Sequence, residues 1–212
     1  NLSPNTMTDN NMGVEVAALN PSQSEVYMYD LKTKKKKLTE AREQLKSFVN
    51  DMNVLKSGSA ELKAYLESRV DVDLFLRAYA VNVAVGMWDD YWCNTSNYYF
   101  YFDNDKFIFI PYDYDNTLGT SNIMENSGTH DPLNWGSLGG DRVLMRKVMS
   151  IPEYKAQYVA YLKELVSNPE YFEYEGSLAR IRAWHAMIGE YVTNDTGEDM
   201  EIADRPASWG NC

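Results

Sequence analysis

The chain has 212 residues, a length that suits one domain or one large lobe, and its 44% apolar and 24% charged residues are ordinary for a globular core. A formal net charge of -11 argues against a broad nucleic-acid or anionic-membrane surface, because phosphates need a basic face. The longest apolar runs fall well short of the roughly 20 residues that a membrane helix requires.

The chain begins at Asn1, without Met, in a polar Asn-rich stretch, and reads as a processed or excised piece of something longer. Residues 1–24 lack periodicity and are expected to be irregular. "EVYMYDL" (25–31) alternates loosely and suggests a short strand; Lys32 and Lys34 to Lys37 then read as a solvated turn. "LTEAREQLKSFVNDMNVL" places Leu38, Ala41, Leu45, Phe48, Val49 and Met52 near helical spacing, with Thr39 as candidate N-cap. Ser57-Gly58 breaks that helix, and Ser59 caps the next, "SAELKAYLESRV". "DVDLFLRAYAVNVAVGMWDD" is the strongest helical pattern: Asp71 can cap it, Leu74, Phe75, Ala78, Val81, Val85 and Trp88 form a stripe, and it is expected to end near Asp89-Asp90.

The period then changes to two. "NYYFYF" (97–102), the turn "DNDK" (103–106) and "FIFIPY" (107–112) predict a β-hairpin. Residues 116–140 read as a long loop, which in a compact domain is usually functional. Helical pattern resumes from Asp141 to about Val192, interrupted at Asn168-Pro169. The expected organisation is an irregular segment (1–24), a lobe (25–193) that is mainly α with one β-hairpin, and a polar tail (194–212). The absence of βαβ alternation argues against a doubly wound sheet. Cys93 and Cys212 lack zinc spacing, and a disulfide between them has no support from the pattern. The abundance of Tyr, 16 residues, together with frequent Asn, points to a secreted or surface protein.

Chemistry concentrates at the hairpin. Asp89 and Asp90 follow the long helix, Asn97 opens the first strand, and Asp113 and Asp115 follow the second. Folding the hairpin brings Asn97 near Asp113, and the short segment 89–97 brings Asp89 and Asp90 to the same end. Ionised carboxylates gathered at a buried edge need a cationic partner. Such oxygen donors suit a hard cation such as Mg²⁺. A calcium loop starting at Asp113 fails, since Leu118 and Met124 stand where Gly and Glu are required. The order of helix, acidic loop, hairpin, Asp and long loop is that of protein kinases. There one Asp orients the attacking hydroxyl, and an Asn and a later Asp hold metal. No HRD or DFG motif is present, which excludes an ordinary kinase.

The residues Trp88-Asp89-Asp90-Tyr91, Asn97-Tyr98-Tyr99-Phe100-Tyr101 and Pro111-Tyr112-Asp113-Tyr114-Asp115 with Gly119 resemble the signature of the CotH family, the spore-coat protein H kinases. Tyr112 stands where that family usually has Trp. The resemblance is specific over about residues 70–120. It implies a protein-kinase-like C-terminal lobe and Mg-ATP-dependent phosphorylation of a protein substrate at the cell or spore surface. Asp89 or Asp90 would be catalytic, and Asn97, Asp113 and Asp115 would hold Mg²⁺. No residues stand out as binding the rest of the ATP. No Gly-rich phosphate loop precedes residue 70, and Gly136 to Gly140, glycine-rich but later, reads as plain loop. The resemblance therefore suggests that a nucleotide-covering N-terminal lobe lies upstream.

Two other readings compete. Asp113-Tyr114-Asp115-Asn116-Thr117-Leu118 after a strand also resembles the first motif of haloacid-dehalogenase-type phosphatases, with Asp113 as nucleophile, Asp115 as general acid/base and "GEDMEIAD" (197–204) as a last acidic motif. That family requires a parallel sheet. Alternatively, Trp135, Trp184 and Trp209 could line a groove in a non-catalytic surface or cell-wall-associated module. His130 is a loop residue that could meet substrate, and His185 is expected to be structural.

Overall fold

The structure is a computed structural model that describes residues 15–16, 26–27, 31–33, 35–93, 97–118, 129–136 and 142–192. A two-residue strand β1 (Glu15–Val16), within the stretch expected to be irregular, pairs antiparallel with β2 (Val26–Tyr27). A short 3-10 turn (Lys35–Lys37) leads into α1 (Leu38–Val54). The N-cap of α1 is Lys37, without a side-chain bond, so Thr39 lies inside the first turn instead of capping it. Helices α2 (Ala60–Arg69) and α3 (Val72–Ala84) begin where their sequences provide an oxygen acceptor. Ser59 accepts from the Leu62 N–H at 3.1 Å, and Asp71 from the Leu74 N–H at 3.1 Å.

Strands β3 (Tyr98–Asp103) and β4 (Lys106–Pro111) form the expected antiparallel hairpin, with Tyr98 opposite Pro111 and Asp103 opposite Lys106. Asn104 and Asp105 turn it with φ of 46° and 67°, the left-handed pair that matches strand twist in a two-residue loop. After the long loop come α4 (Val143–Met149), α5 (Pro152–Ser167), α6 (Pro169–Phe172) and α7 (Tyr174–Val192). Pro152 and Pro169 sit at first helical positions, where a missing N–H costs nothing. The architecture is thus mainly helical with an antiparallel hairpin.

One core joins α1 to α5 and the hairpin, and neither α6 nor the described side chains of α7 are buried in it. Phe48 and Met52 of α1, Leu62 and Leu66 of α2, and Phe75, Leu76 and Tyr79 of α3 meet Phe107 of β4, Val148 of α4 and Tyr158 of α5, all fully buried. Phe48 stacks on Phe107 with ring centroids 4.8 Å apart. The Asp71 N–H donates to the Phe107 carbonyl at 2.9 Å, which ties the start of α3 to β4. The hairpin therefore packs its Phe107 and Phe109 face on α1 and α3 and turns Tyr99, Tyr101 and Ile110 outward.

Gly136 is buried against Trp92: a β-carbon there would stand 1.7 Å from Trp92 Cδ1 and 2.5 Å from the Trp92 carbonyl. Trp92 is itself wedged edge-on against Tyr79 and Tyr158 and cannot swing aside. Gly136→Ala is expected to lower unfolding free energy by about 3 kcal/mol, the upper range of overpacking. Gly189→Ala in α7, with nothing within 4 Å of the added carbon, is expected to raise it by about 0.5 kcal/mol through helix propensity. Urea titration of both variants reads the difference; equal midpoints would refute the Trp92 contact.

Candidate functional site

The long helix stops earlier than its apolar pattern suggests. Gly86 takes φ 67° and donates to Val83, while the Met87 N–H reaches back to the Asn82 carbonyl at 2.8 Å. This pair of bonds is a Schellman closure, and it ends α3 at Ala84 rather than near Asp89. Residues 87–93 are consequently a loop. Later parts of the chain hold its carbonyls. Trp135 Nε1 donates to Met87 at 2.9 Å, and the buried Arg142 guanidinium donates to Tyr91 at 3.0 Å and Cys93 at 2.8 Å. The Tyr91 hydroxyl accepts from the Leu144 N–H at 3.1 Å.

This loop separates the two adjacent aspartates, Asp89 and Asp90. Asp90 is 1% exposed. Its carboxylate accepts from the Cys93 N–H at 2.8 Å and from Asn82 Nδ2 at 3.0 Å. Asp89 is half-buried and accepts from Asn97 Nδ2 at 2.8 Å. With Nδ2 committed to Asp89, the atom of Asn97 that can meet a cation is Oδ1.

The hairpin register brings Asn97 to the second strand's end. The Tyr112 N–H donates to the Asn97 carbonyl at 3.2 Å, one step beyond the Tyr98–Pro111 pair, so Asp113 follows directly. Asn97 and Asp113 both hold left-handed backbone, with φ of 49° and 60°, which Asn and Asp tolerate better than other residues with side chains. Asp113 and Asp115 are exposed, and Asn116 Nδ2 donates to Asp115 at 3.0 Å. The Tyr114 hydroxyl turns the other way and donates to Asn82 Oδ1 at 2.6 Å; burial, with the Asp90 charge, pushes its pKa up to about 12. Leu118 closes the segment onto the end of α3, its N–H 2.6 Å from the Val85 carbonyl. The backbone thus gathers the α3 terminus, the 87–93 loop, the hairpin root and residues 112–118 at one end of the molecule.

Among the described residues, no three His, Cys, Asp or Glu side chains gather closely enough to hold a metal ion by themselves. Mg²⁺ does not need such a cage, because it usually takes one or two carboxylates and completes its shell with water and substrate phosphate. Two carboxylates and an amide oxygen, all hard donors, fit that requirement.

Burial pushes the Asp90 pKa up from 3.8 to about 6, and the Cys93 and Asn82 hydrogen bonds offset only part of the effect. The folded state therefore holds this proton more tightly than the unfolded chain does. Stability from this group is greatest at low pH and falls as pH rises from about 4 to about 6, by on the order of 3 kcal/mol. Asp90→Asn is expected to remove that slope. Urea midpoints of both proteins across this range give the check, and identical slopes would disprove it.

Several expected features fall elsewhere. Trp135 is 1% exposed and serves the loop, so it cannot line a surface groove; Trp184 is 54% exposed on α7, and Trp209 lies outside the described residues. His130 packs edge-on to Trp135 at 5.8 Å, and His185 is exposed on α7. Cys93 is a buried free thiol, while Cys212, Gly119, residues 137–140 and the 197–204 motif lie outside the described residues. The strand before Asp113 belongs to a two-stranded antiparallel sheet, contrary to the parallel sheet that the dehalogenase-type reading requires. Among the described residues no helix is long and apolar enough to cross a membrane. Sequence reasoning assigns no site role to Asn82, Tyr114 or Arg142, and places Trp135 only in a surface groove, not against the Met87 carbonyl. A lone amide in the apolar run Ala78 to Val85 was the available signal for Asn82.

A family model described as CotH kinase protein matches residues 9–209. Neither a curated protein nor a solved structure matches the chain.

Proposed function

The chain belongs to the CotH kinase family, and we propose that it is a protein-kinase-like lobe whose site transfers the γ-phosphoryl group of Mg-ATP to a protein hydroxyl. The observation that carries this reading is the hydrogen bond of Asn97 to Asp89 at the root of a hairpin whose other strand leads directly into Asp113. In this reading an acceptor carboxylate, an amide oxygen and a second carboxylate work together at that end of the fold.

In this reading Asp89 is the catalytic residue. Its half-buried carboxylate accepts the proton of the substrate hydroxyl as that oxygen attacks the γ-phosphorus; the bond to the β–γ bridging oxygen breaks, and ADP leaves. Asp90, already committed to Cys93 and Asn82, keeps the turn in place. Asn97 Oδ1 and the Asp113 carboxylate would hold Mg²⁺, with Asp115 as a further donor. The ion would neutralise charge on the phosphates. Held between these groups, hydroxyl and phosphate are kept in reach of each other, a large part of catalysis in phosphoryl transfer.

The test is transfer from γ-labelled ATP to protein by the full-length protein. Incorporation at Ser, Thr or Tyr that stops when EDTA removes Mg²⁺ is the expected result. Release of phosphate from a phosphomonoester, with no labelled protein, would overturn the reading.

A further inference from the structure

The two sides of the site, the turn with Asp89 and the loop with Asp113 and Asp115, lie far apart in sequence. Asn82 stands between them. It is 1% exposed, on the part of α3 that also buries Tyr79 and Val83. A buried primary amide is costly unless its atoms are bonded. Asn82 Nδ2 donates to Asp90 at 3.0 Å, and Oδ1 accepts from the Tyr114 hydroxyl at 2.6 Å. The other Asp90 oxygen takes the Cys93 N–H at 2.8 Å. Asp90 is the neighbour of Asp89, and Tyr114 sits between Asp113 and Asp115. One buried amide therefore connects both halves.

We infer that Asn82 and Tyr114 are positioning residues, and that the tether Tyr114–Asn82–Asp90 sets the spacing between Asp89 and the Asp113–Asp115 loop. Backbone bonds hold that loop at its two ends, Tyr112 to Asn97 and Leu118 to Val85. The Tyr114 hydroxyl holds its middle. Asp113 and Asp115 are themselves exposed, so burial does not fix them. Packing carries this constraint to the turn: Asn82 lies just before the closure of α3, so the amide is referenced to a rigid helix end. The catalytic consequence rests on the phosphoryl-transfer reading; the tether does not.

The experiment deletes one hydroxyl. Tyr114→Phe keeps the ring and removes the bond to Asn82. Tyr112→Phe, on the neighbouring ring that is 51% exposed, is the control. In Tyr114→Phe, amide hydrogen exchange in 113–118 is expected to quicken about tenfold while α5 is unchanged, and the Tyr112→Phe protein should exchange as the parent does. Transfer should lose about tenfold in kcat, with KM for ATP within about twofold, because misplacement by a fraction of an ångström acts on the reacting geometry. Asn82→Ala should show both effects more strongly. Unchanged exchange in Tyr114→Phe would overturn the tether. Faster exchange with undiminished kcat would overturn the positioning role. Faster exchange in Tyr114→Phe, with a parent protein that transfers no phosphate from ATP, would support the tether while refuting the proposed function.

Discussion

On the proposed phosphoryl-transfer reading, Asp89→Asn is expected to lower ATP-dependent transfer about 10³-fold and to leave the folded structure intact, the largest change expected of any single substitution in the protein. A positioned carboxylate acting on the acceptor hydroxyl contributes about 10² to 10⁴ in rate. The substitution is close to isosteric. The new side-chain oxygen can still accept from Asn97 Nδ2, which now lies 2.8 Å from Asp89, so the hairpin root keeps its contact. Only the proton-accepting character is lost. The comparison that gives the result its meaning is Asp90→Asn, one residue on. Asp90 is buried and holds Cys93 and Asn82, so its substitution should appear first as an altered pH dependence of stability. Initial rates at saturating Mg-ATP, with melting temperatures of both variants, decide the matter. An active Asp89→Asn protein beside an inactive Asp90→Asn protein would reverse the assignment.

Asn97→Ala carries the second large expected effect, a loss of about 10²-fold or more in transfer with a raised Mg²⁺ requirement. Two functions leave together: the Oδ1 donor proposed for the ion, and the Nδ2 bond that orients Asp89. Loss of a metal ligand leaves developing phosphate charge less neutralised, on the order of several kcal/mol of transition-state stabilisation. The backbone at this position is left-handed, with φ 49°, so Ala adds strain that Asn tolerates. Asn97→Gly separates the two effects, because Gly accepts that backbone and still lacks the amide. Both variants should be impaired, and recovery of activity in Asn97→Gly would assign the loss to strain. The same assay discriminates against phosphatase chemistry. There Asp115 would be the proton donor and Asn97 a bystander, so Asp115→Asn would abolish phosphomonoester hydrolysis while Asn97→Ala kept it. Asp113→Ala should be severe under either chemistry and distinguishes neither. Unchanged transfer in Asn97→Ala would sink the kinase reading.

Much of the fold was legible in the order of residues because its causes are local. Ser59 and Asp71 cap helices through N–H groups three residues away. Asn104 and Asp105 turn the hairpin because they accept positive φ. The change of apolar period from 3.6 to 2 marks the passage from α3 to β3, and the stripes of α1 and α3 supply Phe48, Met52, Phe75 and Tyr79 to the core. The approach of Asn97 to the residue before Asp113 was equally visible, since a hairpin of fixed length must return its second strand beside its first.

Other features were decided by contacts that no local rule contains. The apolar stripe runs on through Val85 and Trp88, but the Schellman closure at Gly86 overrides it and frees residues 87–93. Asp89 and Asp90 are chemically identical and adjacent in the chain. They differ only because packing buries one against Asn82 and Cys93 and leaves the other half-buried beside Asn97. Trp135 and Arg142 reach the loop carbonyls from 48 and 49 to 51 residues away. Local propensity and periodicity are properties of neighbours in sequence, and a chain states them directly. Burial, and the choice of partner for a buried polar group, are set by which distant segments exclude water from it, and that is determined only when the helices and the hairpin close on one another.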